Sequence, residues 1–104
     1  MDPIMATMQI DPSLLRRLAA KYVWWKTPDE SLAMPERVIA QTMDIGDYDD
    51  LQALAQQAGD ECLREVVRHA EPGQFSGRSW AYWHYRLGLA RPGQLPSLPE
   101  RRFE

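Results

Sequence analysis

Between Arg78 and Gly88 the chain reads Arg-Ser-Trp-Ala-Tyr-Trp-His-Tyr-Arg-Leu-Gly, which places two of its four tryptophans and two of its four tyrosines within six residues. Each such ring buries about 150–250 Å² when covered, so the segment is costly to leave in water and the rest of the chain has to supply the cover. Laid on a helix, Trp80, Trp83, His84 and Leu87 stand at i, i+3, i+4 and i+7 and form one continuous face. Arg78, Tyr82 and Arg86, at i, i+4 and i+8, share the opposite face and project as a single ridge. The cover is predicted to come from other helices, because no stretch of the chain alternates with period two for long enough to make a strand.

Those helices are marked by their ends. Asp11-Pro12 offers an N-cap followed by proline at the first helical position, and Leu14, Leu15, Leu18, Ala19, Tyr22 and Trp25 make a broad apolar stripe that predicts a helix running to about Trp25 or Lys26. Trp24 lies off the centre of that stripe; burial against a later helix is the expectation, and membership of a contact surface the alternative. Thr27-Pro28-Asp29-Glu30 repeats the cap with a glutamate at the capping-box position and predicts a short helical turn. Pro35 opens a helix with Val38, Ile39, Thr42 and Met43 inward, which Gly46 ends. Asp47, with Asp50 three residues on, starts another that uses Leu51, Leu54, Ala55 and Ala58 and stops at Gly59. A further helix from Asp60 carries Leu63, Val66, Val67 and Ala70 and ends by Pro72-Gly73. Ser76 caps the aromatic helix and Gly88 terminates it.

The expected architecture is therefore all-α: a compact single-domain bundle of about five short helices over residues 11–89. A frayed lead-in covers 1–10 and an extended proline-rich tail covers 90–104, draped on the body through Leu95, Leu98 and Phe103. At 104 residues, with 44% apolar and 26% charged residues, one core is within reach and a second is not. Cys62 is the single cysteine and closes no intrachain disulfide; no run approaches a membrane span and the first ten residues do not read as a signal peptide, so a cytoplasmic protein is expected.

The residues that could carry chemistry each have a plainer structural reading. Cys62 flanks an apolar helical face, His69 and His84 are the only histidines, and no Cys/His spacing suits zinc. His84 reads as a hydrogen-bonded core histidine. Asp44, Asp47, Asp49 and Asp50 lack the alternate spacing of a calcium loop. Neither a catalytic residue, a metal site nor a cofactor is expected. Charge is divided unevenly: residues 27–50 hold seven acids against Arg37 alone, whereas 64–102 hold seven arginines against three glutamates. Mutual attraction of the two regions, or simple solvation of the surface, is the expectation, and a basic docking face the alternative. Residues 35–58 have the outline of a helix-turn-helix, but its second helix would present Asp47, Asp49 and Asp50 to phosphates, so nucleic-acid binding is not expected there.

Tyr22-Val23-Trp24-Trp25, Arg37-Val38-Ile39-Ala40-Gln41 and the aromatic segment from Arg78 to Gly88 resemble a family of small uncharacterised bacterial helical proteins encoded beside abortive-infection-type nucleotidyltransferases, the toxin components of some toxin-antitoxin cassettes. The resemblance spans residues 15–89 and carries no catalytic residue across. It implies an antitoxin-like or accessory protein whose partner is the nucleotidyltransferase. The function expected is thus a non-enzymatic protein-interaction module, with Arg78, Tyr82, Arg86 and Trp24 as partner-binding candidates. A helical regulator that binds nucleic acid through its C-terminal arginines is the alternative. For the ridge, the competing structural reading has the arginines stacking on Tyr82 and pairing with Glu65 or Glu71.

Overall fold

A computed structural model describes residues 10–99. The expectations for residues 1–9, for Phe103 and for Arg101 and Arg102 lie outside that range; Ile10, expected at the end of the frayed lead-in, is instead buried in the core. Among the described residues the architecture is all-α, with five helices: α1 (Pro12–Tyr22), α2 (Pro28–Leu32), α3 (Pro35–Ile45), α4 (Tyr48–Arg68) and α5 (Gly77–Arg86). No helix among them is long and apolar enough to cross a membrane.

Capping chemistry sets most of these boundaries. The Asp11 side chain accepts from Ser13 N–H at 2.8 Å, Thr27 and Glu30 form a reciprocal capping box, Asp47 accepts from Asp50 N–H at 2.9 Å, and Ser76 accepts from Ser79 N–H at 3.2 Å. Gly46 follows α3 in extended backbone (φ −66°), so it is not there for a left-handed turn. A Cβ at this position would lie 2.4 Å from the carbonyl oxygen of Thr42, and that contact is what requires glycine. Gly59 is different. Its φ of 79° and ψ of 160° interrupt α4, so the expected pair of helices meets there in one kinked element.

α1 ends at Tyr22, three residues short of the predicted Trp25. The apolar stripe continues past this point, but Thr27 must take extended backbone (ψ 152°) both to precede Pro28 and to cap α2. The chain therefore leaves the helix at Val23, which turns inward and is buried, and the stretch after it makes a turn closed by Lys26 N–H donating to Val23 C=O at 3.2 Å. This turn carries both Trp24 and Trp25 out of the core. Trp24 is 77% exposed, so the expected packing against a later helix does not occur.

The core lies between α1, α3, α4 and α5. Leu18, Ile39, Leu54 and Leu63 are fully buried, as are the inward positions Val38, Thr42 and Met43. Trp83, 1% exposed, is its largest member, and its indole N–H donates to Met43 C=O at 2.8 Å, joining α5 to the end of α3. Trp80 and Leu87 are buried beside it, while His84 Nδ1 bonds Trp80 C=O at 2.8 Å. Asp44 anchors the other end of α5 by accepting from Ser76 N–H at 3.0 Å and from the Ser79 hydroxyl. The tail lies over the aromatic helix: Trp80 Nε1–H donates to Pro96 C=O at 2.8 Å, and Leu95 and Leu98 pack on the core.

Candidate functional site

Three surface features are built on this frame. The first is the turn after α1. Trp24 and Trp25 (55% exposed) meet edge to face with ring centroids 5.7 Å apart. Tryptophan is the side chain a soluble surface has most reason to cover, and here two adjacent indoles stand uncovered. Sequence periodicity assigned Trp25 to the buried stripe; the signal that corrects it is the Thr27-Pro28 cap, which forces the helix to end first.

The second is the ridge of α5. Arg78, Tyr82 and Arg86 are all exposed, as their spacing predicts. Arg86 donates to the Tyr82 hydroxyl at 3.0 Å, with its guanidinium 5.0 Å from the Trp83 ring and 5.9 Å from that of Tyr82. Stacking on Tyr82 is therefore present, but pairing with Glu65 or Glu71 is not: Glu65 binds Arg68, and Glu71 faces Arg37 at 3.5 Å. Nor, among the described residues, do the acids of residues 27–50 pair with the arginines from Arg64 to Arg91. Three of them meet α1 instead, through Arg16–Asp29 at 2.6 Å, Lys21–Asp47 and Lys21–Asp50 at 2.8 Å and Arg17–Asp50 at 3.5 Å. Among the described residues Arg78, Arg86 and Arg91 form no ion pair, and no acid occurs from Gly77 to Pro99.

The α1–α4 contact is the most tightly bonded polar cluster. Asp50 is buried, accepts from the Tyr22 hydroxyl at 2.6 Å and from Lys21, and the same hydroxyl accepts from Asp47 N–H at 3.0 Å. The bond from Lys21, then that from Tyr22, holds the Asp50 carboxyl below the usual range. Burial, followed by the bond to Asp50, pushes the Tyr22 phenol up. Every polar group here has a partner within the chain, so the cluster reads as a clamp between helices.

The third feature is a cleft of about 200 Å³ between the α1–α2 turn, α2, the start of α3 and the turn after α4, bordered by Trp25, Lys26, Arg37 and Glu71. Among the described residues no three His, Cys, Asp or Glu side chains are grouped to hold a metal ion. Burial pushes the Cys62 thiol up, which keeps it protonated and a poor nucleophile at neutral pH. Comparison of the chain with protein-family models, with curated proteins and with solved structures found no match.

Proposed function

We propose that the chain is a non-enzymatic protein-interaction module that engages its partner through the tryptophans of the α1–α2 turn. The observation that carries this reading is the exposure of Trp24 and Trp25 on a molecule that buries its other two tryptophans. Indole rings supply large contact area at small conformational cost and dominate binding energetics, and an exposed apolar pair on a short, capped turn is already held in place. The ridge of Arg78, Tyr82 and Arg86 offers a second contact region of the residue types that interfaces favour. The partner implied by the resemblance of the three segments is an abortive-infection-type nucleotidyltransferase, for which the chain would act as an antitoxin-like or accessory subunit. A second reading, binding of nucleic acid, draws on the unpaired Arg78, Arg86 and Arg91.

Calorimetric titration of such a nucleotidyltransferase with the parent chain and with a Trp24→Ala, Trp25→Ala double variant tests the first reading. Loss of about 2 kcal/mol or more, roughly 30-fold in affinity, is expected for the variant. Its unfolding midpoint should stay close to the parent's, because exposed positions contribute only about 0.5 kcal/mol. Equal affinities, or no binding by the parent, count against it.

A further inference from the structure

The cleft beside Trp25 can be characterised by which of its polar groups are already committed. Glu30 is engaged, with one carboxylate oxygen accepting from Thr27 N–H at 3.2 Å and from the Thr27 hydroxyl at 2.9 Å. Gln74 Oε1 accepts from Glu71 N–H at 2.9 Å, so the uncommitted part of that side chain is its NH₂ donor. Arg37 makes one contact, to Glu71 at 3.5 Å, which is beyond the usual length of a charge-assisted hydrogen bond and leaves most of its donors unspent. Lys26 forms no side-chain hydrogen bond or ion pair among the described residues. After this accounting the groups left are mostly donors, two of them cationic, together with the Ser31 hydroxyl, which is buried without a partner among the described residues; Glu71 and the second carboxylate oxygen of Glu30 oppose them. Apart from Gln41, the remainder of the lining is apolar, with Val23 and Val38 buried and Trp25 half exposed. The volume of about 200 Å³ lies below the roughly 300–1,000 Å³ of pockets that take cofactors or drug-sized molecules.

We propose that this cleft binds a carboxylate carried on an apolar body no larger than one aromatic side chain, with Lys26 and Arg37 receiving the charge and Trp25 covering the body. The proposal goes beyond the docking role of the tryptophan pair and does not depend on Trp24. Two sources share the chemistry: a free acid of amino-acid size, and the C-terminal residue of a partner polypeptide.

The experiment is nuclear magnetic resonance titration of the isotope-labelled full chain with N-acetylphenylalanine and with N-acetylphenylalanine amide. The indole N–H of Trp25 and the side-chain amides of Gln41 and Gln74 are the reporters. A saturable shift with the acid is expected, with binding of the amide about tenfold weaker, the loss of one charge-assisted hydrogen bond. Arg37→Gln and Lys26→Gln, both at exposed positions that leave the fold intact, should each weaken acid binding by a similar factor, and Trp24→Ala should leave it unchanged. The last result separates this site from docking by the tryptophan pair, which draws on both indoles, because either can fail alone. A tripeptide ending in phenylalanine that binds more tightly than N-acetylphenylalanine assigns the site to a partner's C-terminus; equal affinities assign it to a free acid. Equal shifts by acid and amide, or none at about 10 mM acid, where even a millimolar site would be occupied, overturn the proposal.

Discussion

Trp83 shows how one side chain can fix the relation between two helices. Its ring fills the interior, and its N–H takes the carbonyl of Met43, which sits near the end of α3. Trp83→Ala should therefore cost about 3–5 kcal/mol, read as a lowered denaturant midpoint with circular dichroism still helical; an unchanged midpoint would mean that the site refills or is dispensable. Asp50 plays the corresponding part between α1 and α4, and there charge adds a pH dependence. Because the folded chain holds this carboxyl below its ordinary value near 4, the contribution is fully present above about pH 4 and drains away as pH falls through the lower folded value. Tyr22 has the opposite sign: its raised phenol contributes below about pH 10, and that contribution is lost as pH rises through the folded value. Asp50→Asn should destabilise by about 1–3 kcal/mol at neutral pH and flatten the acid limb of a stability-against-pH curve. A variant with the parent's full acid sensitivity would place the titrating group elsewhere.

Among the elements, α4 turns on Gly59. Its backbone lies in a region essentially closed to residues with a side chain, while a Cβ there would meet no atom within 4 Å. Gly59→Ala should therefore cost about 1–3 kcal/mol through the backbone alone, measured by urea unfolding; a cost near zero would show that α4 can straighten without penalty. The glycine was legible in the sequence, as were the caps at Asp11, Thr27, Asp47 and Ser76 and the inward face of α5, because each rests on residues within four positions of one another. The end of α1 was not, since the apolar period ran on to Trp25 and only the requirement of the following cap overrode it. Long-range pairings were also hidden. Tyr22 with Asp50, Trp80 with Pro96 and the meeting of Lys26, Arg37 and Gln74 at one cleft join segments that no local pattern connects. Of the candidate surface, the α5 ridge could be read from spacing, and Trp24 was a candidate from its place off the apolar stripe; Trp25 was hidden, because the stripe ran through it.

Across the described residues three of the seven acids of residues 27–50, Asp29, Asp47 and Asp50, are answered by the cations of α1, and Arg64 and Arg68 by neighbouring glutamates on α4. On and after α5 the uncompensated charge is local: Arg78, Arg86 and Arg91 stand in a stretch without acids, on a chain whose net charge is −3. That distribution suits contact with a modest acidic patch on another protein better than it suits a polyanion. If Arg78, Arg86 and Arg91 all reached phosphates of a DNA duplex, about three counterions would be released, and the affinity would fall only about 40-fold between 50 and 200 mM salt. Asp47 and Asp49, exposed at the start of α4, would resist closer approach. Titration of labelled duplexes at physiological salt should accordingly give a dissociation constant of about 100 µM or weaker, the same for unrelated sequences, and further weakened in an Arg78→Ala, Arg86→Ala, Arg91→Ala variant. Specific DNA-binding proteins reach about 10⁻⁸–10⁻¹¹ M and discriminate between sites. A sequence-dependent constant in that range, lost in the triple variant, would overturn the proposed protein-partner reading in favour of nucleic acid and make the arginine stretch, rather than the tryptophan pair, the working surface.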